Sequence, residues 1–85
     1  MTMVNRKELG KRVAKMRERR RLSVQELADM TGLSYQTLWR IERGSQGEPG
    51  LSTVATIARK LDVSIDYLAG LYEDTESELE PAAVA

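Results

Sequence analysis

The 85-residue chain has no cysteine and no histidine. Without cysteine there is no disulfide framework and no thiol nucleophile, and without either residue there is no ordinary zinc cluster and no histidine base. Carboxylates alone would need a tight cluster to hold a metal, and the sequence offers none. No stretch approaches the roughly 18 consecutive apolar residues of a membrane span, and the first residues lack the apolar run of a secretory signal. Strand-like segments and internal repeats are missing as well. These absences exclude thiol, redox and zinc chemistry. They predict a soluble, cytoplasmic protein with no metal, cofactor, membrane or small-molecule partner, and they leave no nucleophile, base or pocket for an enzyme. At this length one small domain is expected, with a core that stabilises it only marginally unless it associates.

Net charge is absent only in sum, since thirteen Lys/Arg balance thirteen Asp/Glu. Residues 1–22 hold nine bases against two acids, whereas residues 73–85 hold five acids and no base. Between them, residues 23–50 carry two bases against four acids and residues 51–72 two against two. Such separation predicts a surface that faces a polyanion and an acidic tail. That tail combines its carboxylates with Pro81 and small residues, too little apolar surface to offset the entropy of ordering it, so disorder is expected over 73–85.

Helix punctuation divides the rest. Asn5 with Glu8 has capping-pair spacing, and Leu9, Val13 and Met16 recur at helical intervals, which predicts a helix from about Arg6 to Arg20 after a flexible arm over 1–5. Ser23 with Glu26 forms a second capping pair and starts a helix near Val24; Gly32 ends it, Ser34 caps the next, and Gly44 closes that one. Two short capped helices joined by a glycine turn make a helix-turn-helix, whose ordinary work is reading double-stranded DNA. Gly44 to Gly50 read as a loop by composition. Leu51, Val54, Ile57, Ala58 and Leu61 then recur at helical spacing up to Asp62, and Ser64 caps a fifth helix bearing Ile65, Leu68 and Ala69 before Gly70. The predicted class is all-α with five helices, in one domain over 6–72.

Around the third helix, about 100° per residue puts Leu38 and Ile41 toward the protein, flanked by Thr37 and Glu42. The opposite side carries Tyr35, Gln36, Trp39, Arg40 and Arg43, which supply bidentate donors and acceptors, apolar contact for thymine methyls, and positive charge. Arginine pairs with guanine O6 and N7, and glutamine with adenine N6 and N7. Gln36 and Arg40 are therefore the candidate specificity residues, with Tyr35 and Trp39 beside them in base readout. Among the cations of the basic first helix, Arg12, Arg19, Arg20 and Arg21 are assigned to phosphate; Ser34, Thr37 and Arg43 join that set. Phosphate contacts position a protein on DNA without specifying sequence. The alternative function is a protein-interaction module on the same scaffold, with Trp39 and Tyr35 as an aromatic hot spot.

The pattern Leu22-Ser23-x-x-Glu26-Leu27-Ala28, Gly32-Leu33-Ser34, Leu38-x-Arg40-Ile41-Glu42-x-Gly44, Pro49-x-Leu51, Ile57-Ala58 and Leu61-x-Val63-Ser64 resembles the phage repressor and Cro type of helix-turn-helix domain, also called the xenobiotic-response-element type. The resemblance covers about Leu9 to Leu68. It implies a five-helix fold of the lambda and 434 repressor kind and transcriptional regulation, repressor-like, from a two-fold operator. It also implies that Ser23, with the N–H groups that start the second helix, points at a phosphate, and that Arg17 in the first helix pairs structurally with Glu42. A homodimer on DNA is expected from it, with half-sites about 34 Å apart; the loop before the fourth helix and the fifth helix with Leu71 and Tyr72 are the candidate dimer surfaces. Three positions depart from the family pattern. Val24 stands where a phosphate-touching polar group is common, the 44–50 loop has Glu48 and no cation, and Trp39 stands where small polar residues are usual.

Overall fold

Five helices run through the residues that the computed structural model describes, 5–45, 47 and 49–70: α1 (Arg6–Arg19), α2 (Val24–Thr31), α3 (Tyr35–Arg43), α4 (Leu51–Leu61) and α5 (Ile65–Ala69). No strand occurs among them, and the arrangement is the expected all-α one. Arg20, expected as the last residue of the first helix, is its C-cap instead. The acidic tail, Leu71, Tyr72 and most of the N-terminal arm lie outside the described residues.

Local chemistry explains the starts. The Asn5 side chain accepts from the Lys7 and Glu8 N–H groups, while the Glu8 carboxylate turns to Arg12 rather than completing a capping box. At α2 the box is complete: Ser23 Oγ accepts from Glu26 N–H at 3.0 Å, and Glu26 Oε1 accepts from Ser23 N–H at 2.7 Å. Ser34 and Ser64 cap α3 and α5 in the same serine fashion. Each such cap stabilises its helix by about 1 kcal/mol.

Three of the stops share one geometry. After α1, α3 and α4 the chain makes the paired hydrogen bonds of a Schellman motif around one left-handed residue, for example Leu22 N–H to Arg17 O and Arg21 N–H to Glu18 O. Gly44 fills that position after α3, but Arg21 and Asp62 fill it after α1 and α4, both at φ 59°. Left-handed backbone costs a side-chain-bearing residue roughly 1–2 kcal/mol.

The core draws on all five helices: Leu9, Val13 and Met16; Leu27 and Ala28; Leu38 and Ile41; Val54, Ile57, Ala58 and Leu61; Tyr67 and Leu68. Leu51, expected on the apolar stripe of α4, departs from it and is 73% exposed. As the first residue of α4 it stands outside the packed segment, whose buried stripe starts at Val54. Tyr67 has the largest fully buried side chain. Its ring faces the Arg12 guanidinium at 5.0 Å from the centroid, and its carbonyl accepts from Arg12 Nη1 at 3.3 Å. This fastens the short α5 to α1.

Packing of α1 against α3 positions everything discussed below. Gly10 makes it possible. A Cβ added there would meet Glu42 O at 2.5 Å and Ile41 O still closer, both rigid backbone atoms. Gly44 lies against the backbone of Lys7 in the same crossing, where an added Cβ would stand 2.9 Å from Lys7 Cα.

Two predictions follow from these backbones. Gly10→Ala improves helix propensity by about 1 kcal/mol, yet forcing two helices apart costs about 1–3 kcal/mol or more. Because the obstructing atoms belong to main chain, the clash wins, and thermal denaturation should show a melting temperature lower by at least about 5 °C. Arg21→Gly has the opposite sign: relief of left-handed strain should raise the melting temperature by a few degrees, about 1 kcal/mol net of the added chain entropy.

Candidate nucleic-acid interface

Gly32, at φ 78°, turns the chain between α2 and α3, and Leu33 packs against the core beside it. Val24, one of the departures from the family pattern, also packs against the core, which accounts for an apolar residue there. On α3, Leu38 and Ile41 are buried. Gln36, Arg40 and Arg43 are exposed on the other side, with Tyr35 at 46% and Trp39 at 43%. All five residues assigned to the outward face are therefore on it. Arg43 stacks on Trp39, its guanidinium carbon 4.7 Å from the ring centroid.

This face is held from behind by Arg17. Its Nε donates to Glu42 Oε2 at 2.6 Å and its Nη2 to Glu42 Oε1 at 3.1 Å, a bidentate pair, and the two side chains are only 12% and 9% exposed. Nη1 donates to the Leu22 carbonyl at 2.6 Å. One guanidinium thus joins α1, α3 and the turn into α2. Its hydrogen bonds to Glu42 hold Arg17 above its ordinary pKa, against desolvation that works the other way, so the guanidinium keeps its charge. The pairing implied by the family resemblance is present.

The phosphate-assigned residues divide. Arg12 is a correction: it is buried, with Nε on Glu8 Oε2 at 3.1 Å and Nη1 on the Tyr67 carbonyl, so its fork is turned inward and serves the fold. Arg19, Arg20 and Arg21 are exposed. Arg20 reaches Asp62 at 3.6 Å, a surface pair worth at most about 1 kcal/mol and easily exchanged for another anion. Ser23 gives its N–H to Glu26 and its Oγ accepts from Glu26 N–H, while the Val24 and Gln25 N–H groups, in the first turn of α2, have no partner within the helix. Ser34 and Thr37 share one hydroxyl hydrogen bond at 2.9 Å, so between them one O–H remains to donate.

Sequence reasoning missed the tertiary role of Gly10, the burial of Arg12 and Tyr67, and the Trp39–Arg43 stack. Only the last had a local signal, the i,i+4 spacing of an aromatic and a cation on one helix face. Among the described residues no group of three acidic side chains could hold a metal, and no helix is long and apolar enough to cross a membrane.

Two short helices at a glycine turn, the second presenting a polar edge and locked from behind by an ion pair, define a helix-turn-helix domain. The helix-turn-helix family model matches residues 13–68, and the chain belongs to that family. It is similar to the HTH-type transcriptional repressor RghR of Bacillus subtilis (strain 168), with 32% identity over 75 residues, 85% of this chain and 56% of that protein. Among solved structures it resembles the master regulator for biofilm formation SinR in complex with DNA, with a TM-score of 0.68 and 32% identity over 71% of this chain and 95% of that one. The same fold recurs in hydroxypropylphosphonic acid epoxidase from S. wedmorenis, with a TM-score of 0.70 and 27% identity over 79% of this chain but 35% of the epoxidase. The chain spans between 42% and 61% of the length of the curated relatives it matches.

Removing one partner of a largely buried ion pair leaves the other charge stranded, at about 3–5 kcal/mol. Arg17→Met should therefore lower the melting temperature by more than about 12 °C. The double substitution Arg17→Met with Glu42→Leu should melt above that single variant, because no lone carboxylate remains. Equal melting of the single variant and wild type would show that the pair does not hold α3.

Proposed function

We propose that this domain is a sequence-specific double-stranded DNA-binding transcriptional regulator, repressor-like, with α3 in the major groove. The observation that carries the reading is the exposed edge of α3 bearing Gln36 and Arg40, on a helix whose inner side is pinned to α1 by the bidentate Arg17–Glu42 pair. A side chain read against base edges has to come from a rigid element, since an error of an ångström forfeits a bidentate hydrogen bond. Likeness to a regulator whose structure contains DNA supports the same reading. Gln36 and Arg40 take the base edges with Tyr35 and Trp39 beside them, and Arg19, Arg20, Arg21, Arg43 and the hydroxyls of Ser23 and Thr37 take the backbone. The domain binds as a homodimer, and Leu51, exposed beside the loop that precedes α4, belongs to the surface assigned to pairing. The place of action is the cytoplasm, and the function is not catalytic.

A second reading has its own observation. Tyr35 and Trp39 are large exposed aromatics on α3, with Met30 exposed on α2; such side chains serve as hot spots in protein recognition. The fold by itself does not decide between the two.

Selection of bound duplexes from a random pool separates them. A regulator enriches a palindrome with half-sites about one helical turn apart. Gln36→Ala and Arg40→Ala should each cost about 1–3 kcal/mol on that duplex and much less on unrelated DNA. A dimer that neutralises about six phosphates should show a log–log salt dependence near −5. No enrichment together with a salt slope near zero would sink the DNA reading.

A further inference from the structure

An arginine on the last turn of an exposed helix ordinarily samples many rotamers. Arg43 does not stand alone: it lies one helical turn beyond Trp39 with its guanidinium over the indole. Going round α3 at about 100° per residue from the α1-facing Glu42, one meets Tyr35, Trp39, Arg43, Gln36 and Arg40 in that order. The stacked pair therefore lies beside Gln36 and Arg40, with Arg43 at the C-terminal end of the helix.

The way Arg43 is held matters. Arg17 spends its fork on Glu42 and the Leu22 carbonyl, and Arg12 spends its own on Glu8 and the Tyr67 carbonyl. Neither has a fork to offer an outside anion. A stack on an aromatic ring occupies only the face of the guanidinium. Its N–H donors lie in the plane and stay directed outward, and its charge is not cancelled by a carboxylate. Stacking is thus a way to order an arginine while leaving it able to grip an anion bidentately.

We infer that Trp39 is a positioning residue: its indole holds Arg43 as a preformed clamp for one backbone phosphate at the margin of the groove, and Trp39 itself reads no base. The inference rests on the DNA-binding reading and revises one of its assignments, moving Trp39 from base readout to support of a phosphate contact. It also gives a reason for an indole where the family pattern has small polar residues.

The test uses the full chain, a labelled duplex recovered by selection from a random pool, and anisotropy titrations at several salt concentrations. The variants are Trp39→Ala, Trp39→Phe, Arg43→Ala and the double alanine substitution, each first checked by thermal melting. Arg43→Ala should reduce the salt slope by about 1 per protomer. Trp39→Ala removes no charge, yet should weaken binding about 2- to 5-fold and reduce the slope by part of the same unit. Trp39→Phe should keep most of the affinity, and the double variant should bind no worse than Arg43→Ala alone. Since Trp39 is the chain's one tryptophan, emission from the free protein should also differ between wild type and Arg43→Ala.

Additive losses in the double variant overturn the inference, as does a Trp39→Ala variant with an unchanged slope and a changed base preference on repeated selection. Either of those outcomes leaves DNA binding intact. If no duplex is enriched at all, the DNA reading fails and the clamp fails with it.

Discussion

The angle between α1 and α3 is set by a charge pair closing over a glycine. Gly10 lets the two backbones approach until no side chain fits between them, and the Arg17–Glu42 pair then fixes their rotation with two hydrogen bonds of defined direction. The apolar contacts of Leu9, Val13, Leu38 and Ile41 stabilise this crossing but do not orient it, because burial is non-directional. A buried ion pair adds little net stability for the desolvation it entails. Its use here is geometric, and the outward side of α3 inherits its precision from this inner contact.

The same crossing changes how the charge asymmetry of the chain is understood. Nine bases in the first 22 residues suggest a broad cationic surface. Two of them, Arg12 and Arg17, are turned inward: Arg12 ties α1 to the ring and carbonyl of Tyr67, and Arg17 ties it to Glu42 and Leu22. Arginine suits both tasks, since its long apolar stem packs while its planar fork reaches several acceptors at once. The surplus charge on α1 is partly scaffold, and the outward-facing share is smaller than composition implies.

What could be read from sequence was what local chemistry decides. Serine and asparagine caps, glycine stops and the 3.6-residue recurrence of Leu9, Val13 and Met16 act within one or two turns, and α2, α3 and α5 begin and end where these signals stand. The outward edge of α3 was legible for the same reason, because Leu38 and Ile41 orient the whole helix. Gly10, Arg12 and Tyr67 were not legible. Gly10 is unremarkable until α3 lies across it, Arg12 is one of several identical cations on its helix, and Tyr67 is buried only because α5 folds back on α1. Leu51 failed in the other direction: periodicity includes it, but the first residue of a helix lies beyond the neighbour that would cover it.

Among the described residues, the two left-handed ones that are not glycine, Arg21 and Asp62, belong to one corner of the molecule, because Arg20, next to Arg21, reaches Asp62 across the ends of α1 and α4. Left-handed backbone at both chain reversals is brought together there, and a solvent-exposed ion pair that salt weakens spans it. The reversal after α1 is also held from inside, by Arg17 Nη1 on the Leu22 carbonyl. The corner thus joins left-handed backbone to an inner anchor, and its outer, solvent-facing tie is the part that added salt loosens.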